Sequence, residues 1–174
     1  MKSDSKYKIE FAGLKIGSHQ FNFNADKKFF DRFNFSDFND VFVNIDIDLT
    51  KKSTLLELNF VLTGEVNLNC DLTNEPFDYQ IEHKASLVVK FGKDYNDEDD
   101  EILVLPHGEH KLYVGQYIFE LIVLSLPPKR VHPGVEDGTL KSEILDILDD
   151  LKPKENSNLV DPRWEQLKKF KKIK

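Results

Sequence analysis

The sequence predicts an α+β fold: an antiparallel sheet of about six strands, open or curled toward a barrel, covered by a buried helix and followed by a C-terminal helical extension. Residues 41–49 alternate strictly between branched apolar and mostly polar side chains, which is typical of a half-solvated strand. Similar runs follow, joined by short turn sequences that favour antiparallel neighbours. A long apolar segment and a capped terminal segment then predict helices.

The predicted strands occupy most of the N-terminal half. Turn residues separate them at 51–53, at Thr63-Gly64 and at 73–76. A short helix is predicted at 26–33, because Phe29, Phe30 and Phe33 fall at helical spacing. The strands are predicted at 7–11, 19–24, 41–49, 56–62, 65–72, 77–91 and 102–105.

Beyond the strands, apolar residues in 113–126 occupy too many helix faces for an amphipathic surface helix, so a buried helix is predicted there, ended by Pro127-Pro128. Periodicity alone also permits a strand in this segment. Residues 129–138 contain glycine and proline without an apolar pattern, which predicts a loop. Residues 139–151 predict a short helix. Its inward residues would be Leu140, Ile144, Leu145, Ile147 and Leu148.

The C-terminal segment has good helix-start chemistry. Asp161 can accept backbone N–H bonds as an N-cap, and Pro162 lies at the first helical position, where its missing donor costs nothing. The predicted organisation is an α+β domain at 1–151, a polar linker at 152–160 and a basic helical tail at 161–174.

Composition limits the classes of function. A chain of 174 residues fits one domain, and its net charge of −7 would repel a polyanion at long range. The single cysteine and the absence of a signal-like N-terminus predict a cytoplasmic protein. The longest apolar run, 117–126, is too short to cross a bilayer and contains Glu120.

Positive charge is concentrated in the tail. Residues 161–174 carry six Lys or Arg and two acids, whereas residues 1–160 carry 18 bases and 29 acids. At about 100° per residue, Leu167 and Phe170 fall on one side of a helix with Trp164 at its edge, and lysines cluster opposite. The predicted partner-binding residues are therefore Arg163, Trp164, Lys168, Lys169, Lys171 and Lys172. Trp164 is either an exposed aromatic that stacks on a base or fills a partner pocket, or a core anchor for the tail helix.

Three blocks match a known family. Residues 64–77, GEVNLNCDLTNEPF, resemble the G-x-V-x-L-x-C-x-R-C-L-x-P-F block of the YceD-type large ribosomal RNA subunit accumulation protein family. Residues 120–127, ELIVLSLP, resemble its E-x-x-x-L-x-L-P segment, and residues 161–167, DPRWEQL, resemble its terminal D-P-R-W-x-x-L. The family-like core of the domain would span about 64–128.

The resemblance implies a small cytoplasmic bacterial factor, without established enzymatic activity, that large-subunit ribosomal RNA needs in order to accumulate. Its partners would be that RNA or ribosome-assembly proteins, with no membrane and no small-molecule substrate. Many relatives have a second cysteine where this chain has Thr73, and a Cys-rich segment where it has 132–138. A thiolate metal site is therefore not expected here, and no cofactor is predicted.

No other segment carries a stronger site. Cys70 is interpreted as a small buried residue in a strand, because no nucleophile signature accompanies it. The acidic run 94–101 lacks the EF-hand order and predicts a solvated, mobile loop, or a decoy for a basic protein. Glu120 is either exposed at the helix edge or buried with a partner. Two sets of residues could supply ligands to a divalent metal ion: His107, His110 and Glu109, and His132, Glu136 and Asp137. Both sets are interpreted as solvated loop residues instead, because a closed structural site needs about four placed ligands.

No catalytic residue is predicted, so a hydrolase or nuclease ranks below two binding functions. The first is a non-enzymatic factor for large-subunit ribosomal RNA accumulation or ribosome assembly that uses its basic tail. The alternative is an adaptor or chaperone whose acidic sheet surface captures basic clients.

Overall fold

The structure is a computed structural model, and it describes residues 6–99 and 101–152. The chain divides into two units, Met1–Leu140 and Lys141–Lys174. None of the helices in the described part of the chain has the length and apolar character needed to span a membrane.

The first unit is built on a six-stranded sheet. The strands of this unit are β1 Lys8–Glu10, β2 Gly17–Asp26, β3 Asp40–Lys51, β4 Leu55–Asn69, β5 Pro76–Gly92, β6 Asn96–Asp99, β7 Ile102–Pro106 and β8 Lys111–Tyr113. The order in the sheet is β2-β3-β4-β5-β7-β6, with β2 and β6 at the two edges, so the sheet is open and the barrel alternative is wrong. A separate antiparallel pair joins β1 to β8.

Strand β3 confirms the period-two pattern. It pairs antiparallel with β2 and β4, and its residues alternate between fully buried and exposed. Branched side chains suit a pleated surface that is buried on one face. The inner residues of β3, which join one hydrophobic core with those of β4, β5 and β7, are Val41, Val43, Ile45, Ile47 and Leu49.

The predicted turn at Thr63-Gly64 is wrong, because β4 runs unbroken from Leu55 to Asn69. Gly64 pairs with Val43 of β3 and lies where a Cβ atom would be 2.2 Å from the Phe42 carbonyl oxygen. The glycine therefore permits a close approach of two backbones.

The acidic run also departs from its prediction. Residues 96–99 form the edge strand β6, which pairs antiparallel with β7, instead of a mobile loop. This short strand lets the chain return beside β5 in the same direction, so β5 and β7 are parallel neighbours. The expectation that every neighbouring pair is antiparallel is wrong at this one position.

The first helix, α1 at Lys27–Asp31, agrees with the prediction for 26–33. The Asp26 carboxylate caps it by accepting the Phe29 N–H at 3.0 Å. Phe29 and Phe30 are buried, and the Phe33 ring stacks on Phe119 at a centroid distance of 4.4 Å. The Phe35, Phe38 and Phe119 rings also contact Phe30, so an aromatic cluster packs around this helix.

The second helix, α2 at Gly115–Leu124, is shorter than predicted, because residues 111–113 form β8. Ile118 and Ile122 join the hydrophobic core, whereas Leu124 is 77% exposed. The helix therefore buries one face and exposes the other.

Two further helices follow. The predicted loop at 129–138 contains one turn of helix, α3 at Pro133–Glu136, which starts with proline at a favoured position. In the second unit, α4 at Glu143–Leu151 lies within the predicted helix, but none of its residues is buried, so the expectation of inward apolar side chains is wrong. The predicted linker beyond Lys152 and the tail helix 161–174 lie outside the described residues.

Candidate RNA and protein interface

The predicted partner-binding residues cannot be placed. Arg163, Trp164, Lys168, Lys169, Lys171 and Lys172 all lie outside the residues that the structure describes. They stay predictions from the sequence.

The solvent side of the sheet carries a concentration of exposed carboxylates. Alternation along β3, β4 and β5 places exposed carboxylates on this side, with Lys84 and Lys90 as the only lysines that those strands expose there. We call this surface the acidic sheet face. Its exposed carboxylates are Asp40, Asp46, Asp48, Glu65, Asp78 and Glu82.

Amide side chains hold several of these carboxylates across strands. Gln20 of β2 donates to Asp48 at 2.9 Å, and Asn67 of β4 donates to Asp78 at 2.6 Å. Asn22 donates in the same way to Asp46. These bonds order the carboxylates without neutralising them, so the face repels phosphate groups and attracts basic side chains.

Sequence reasoning predicted an acidic sheet surface as the client-binding site of the adaptor alternative, but it did not name the residues of that surface. The alternating Asp46 and Asp48 of β3 were a visible signal, because a period of two places both on one side. The remaining carboxylates join them only through the register of β3 with β4 and of β4 with β5. That register depends on Gly64 lying within a strand.

The first two family-like blocks lead into one loop junction. The loop after β4 closes through the Cys70 N–H, which donates to the Glu75 carbonyl at 2.9 Å, and Asn74 adopts the left-handed backbone region. The segment after α2 is tied to this loop in both directions. The Asp71 N–H donates to the Arg130 carbonyl at 2.8 Å, and the Arg130 N–H donates to the Asp71 carboxylate at 2.7 Å.

Cys70 lies at the centre of this junction. It is buried, as predicted, but it lies just after β4 and not within a strand. Its sulfur accepts the His132 N–H at 3.4 Å. Burial raises the pKa of the thiol, but hydrogen bonds from the Thr73 side chain and from neighbouring backbone N–H groups leave that pKa below its ordinary value.

The histidine sets do not assemble into metal sites. His107 and His110 are exposed on a turn, as predicted. His132 caps α3, because its Nδ1 accepts the Gly134 N–H at 2.9 Å, and Asp137 accepts from Thr139. Among residues 6–99 and 101–152, no three His, Cys, Asp or Glu side chains lie close enough to hold a metal ion.

The Glu120 side chain is exposed on α2. It accepts a hydrogen bond from Gln116, one helical turn earlier. Water solvates this carboxylate, so the alternative that Glu120 is buried with a hydrogen-bond partner is wrong.

A shallow groove in the first unit offers little binding chemistry. One of its two lysines, Lys51, donates to the backbone carbonyls of Phe11 and Leu14 at 2.9 Å and of Ala12 at 3.3 Å. An ammonium group has three N–H donors, so these contacts occupy all of them. The groove has a volume of about 520 Å³ and is lined by residues that include Phe11, Lys52, Leu56, Phe91, His107 and Glu109.

Comparison with known proteins gives one match. The family model described as "Large ribosomal RNA subunit accumulation protein YceD" matches residues 58–171, well over half of the chain. No curated protein and no solved structure matches the chain.

Proposed function

Because the chain belongs to the YceD family of large ribosomal RNA subunit accumulation proteins, we propose that it is a non-enzymatic factor that supports accumulation of that RNA during ribosome assembly. Its basic C-terminal segment, 161–174, contacts the RNA or an assembly protein. The observation that carries the proposal is the family match, which includes most of this segment.

Electrostatics supports the tail as the RNA contact. The acidic sheet face repels phosphate, and the chain outside the tail has 18 bases against 29 acids. An RNA approaching this protein therefore meets favourable charge at 161–174. Each lysine that contacts a phosphate releases a counterion, so the contact is strong at low salt and weak at high salt.

The direct test measures RNA affinity at several salt concentrations for the full chain and for Lys168→Glu with Lys172→Glu. We expect weaker binding and a flatter slope of log K against log salt, by roughly 0.7 for each lost phosphate contact on single-stranded RNA. Lys84→Glu with Lys90→Glu makes the same change in net charge on the acidic sheet face. This control should bind nearly as well as the parent.

Two outcomes would contradict the tail contact. One is equal loss of affinity in both double variants, which would mean that net charge alone matters. The other is full affinity after removal of residues 161–174. Incubation of the pure protein with large-subunit RNA should leave the RNA intact, and metal-dependent cleavage would contradict a non-enzymatic role.

The cellular test is deletion of the gene. We expect fewer large ribosomal subunits relative to small subunits, with precursor RNA of the large subunit declining or persisting. An unchanged ribosome profile, in cold as well as at optimal growth temperature, would argue against the proposal.

A second candidate function is an adaptor or chaperone for basic clients. The acidic sheet face favours it, because its carboxylates are ordered by amide donors and surround Phe42, which is 57% exposed. Asp46→Asn with Asp48→Asn should then release basic proteins that purify with the parent. Retention of the same proteins by this variant would exclude the acidic sheet face as their site.

A further inference from the structure

Helix α4 exposes an apolar side. At about 100° per residue, its apolar residues fall on one side and its four acids on the other. Ile147 is 58% exposed, Leu148 38% and Leu151 74%. Exposed apolar area of this kind is costly in water and is normally covered by a partner. The acids are Glu143, Asp146, Asp149 and Asp150.

We propose that residues 161–174 of the same chain cover this side of α4 and form a two-helix hairpin with it. The tail has the required chemistry, because Leu167 and Phe170 lie on one helical side with Trp164 at its edge. The cations on that same side, Arg163, Lys171 and Lys174, suit the acids that flank the apolar side of α4. Such an amphipathic segment of 14 residues is marginal as an isolated helix in water, and packing against a second helix stabilises it.

Charge selects the tail over a second copy of the chain. Two copies of α4 would bring together eight carboxylates in two chains of net charge −7, which is repulsive. The tail instead brings six bases and two acids. In an antiparallel hairpin, Arg163 would lie toward Asp149, and Lys171 would lie near Glu143.

The connection is long enough for this arrangement. Residues 152–160 separate α4 from Asp161, and nine extended residues span up to about 30 Å. Packed helix axes are only about 8–10 Å apart, so the chain can reverse without strain. The lysines opposite the apolar side, Lys168, Lys169 and Lys172, then point away from α4. The hairpin would thus leave three of the six predicted partner-binding residues, these lysines, free to contact RNA, and it would use Trp164 as a contact with α4.

Trp164 is the only tryptophan in the chain, so its fluorescence reports directly on the tail. In the full-length parent we expect a blue-shifted emission that acrylamide quenches weakly. Ile147→Ser with Leu148→Ser should shift the emission to that of the unfolded protein and raise quenching. Leu167→Ser with Phe170→Ser should do the same from the other side of the contact.

Two controls isolate the contact. Asp146→Ser, on the acidic side of α4, should leave the emission unchanged. Lys168→Glu with Lys172→Glu should also leave it unchanged while weakening RNA binding, which separates a failure of the hairpin from a failure of the proposed function. An exposed Trp164 in the parent would overturn the hairpin, as would a Trp164 that stays buried in the Ile147 and Leu148 variant. Analytical ultracentrifugation gives a further test. If the parent is a dimer and the Ile147 and Leu148 variant is a monomer, the hairpin is overturned, because a second copy then covers α4.

Discussion

Replacement of Gly64 by alanine tests the close approach of β3 and β4. A Cβ atom at this position would lie 2.2 Å from the Phe42 carbonyl oxygen and 2.6 Å from the Val43 Cα atom. Both are backbone atoms, so no side chain can rotate out of the way. Because real Cβ atoms essentially never approach closer than 3.0 Å, the two strands would have to separate locally by about 0.8 Å.

This separation strains the register that pairs β3 with β4 over Asp40–Lys51. Inserting a methyl group into a packed interior costs about 1–3 kcal/mol, and immobile backbone neighbours favour the upper part of that range. With a urea m-value of about 2 kcal/mol per M, a loss of about 2 kcal/mol lowers the unfolding midpoint by roughly 1 M. Equilibrium urea unfolding, followed by circular dichroism, measures this shift.

Gly13→Ala is the matched control, because a Cβ atom there meets nothing within 4 Å. Alanine at such a position is neutral or slightly stabilising, since it reduces the entropy of the unfolded chain. If the Gly64 and Gly13 variants unfold at the same urea concentration, the close approach does not constrain this sheet.

Three other outcomes are expected. Burial and the nearby Asp26 charge raise the pKa of Tyr7 from 10.0 to about 12. The neutral phenol therefore stabilises the fold below pH 10, and this stability is lost as the pH rises through about 12. Tyr7→Phe removes the hydrogen bond to the Asn24 carbonyl and should lower the free energy of unfolding by about 1 kcal/mol at pH 7. Between pH 10 and pH 12, the melting temperature of this variant should fall less than that of the parent. Asp71→Ala removes the acceptor of the Arg130 N–H and should lower the free energy of unfolding by about 1 kcal/mol, whereas Asp71→Asn should retain most of it in the same urea titration. Prolonged chelation should leave the melting temperature unchanged, and stoichiometric tightly bound zinc in elemental analysis would contradict this.

Much of the sheet was predictable because its period-two pattern is strong. In β3 every second residue is branched and apolar, and a strand with one solvated face is the structure that this pattern favours. The Thr63-Gly64 error has a physical cause. A glycine between two apolar runs is typical of a turn, yet the same residue is required where two backbones nearly touch.

Other features depend on contacts that a sequence does not display. The four residues of β6 are polar and acidic, and they form a strand only because β7 offers an edge to pair with. The exposed Glu120 could not be distinguished from a buried one until α2 was known to bury the side that contains Ile118 and Ile122. The candidate site is the opposite case, because the sequence predicts it and its residues lie outside those that the structure describes. The tail was identified from charge, capping and family-like residues, and its six binding residues stay predictions.

The strand β6 has a consequence for how copies of this protein behave beside one another. An edge strand presents unpaired N–H and C=O groups that can add a strand from another molecule. Here the edge is only four residues long, and Asp97, Glu98 and Asp99 are all exposed on it. Two such edges would bring like charges into register and disfavour continuous sheets between molecules. The acidic run thereby disfavours pairing between molecules at this edge of the sheet.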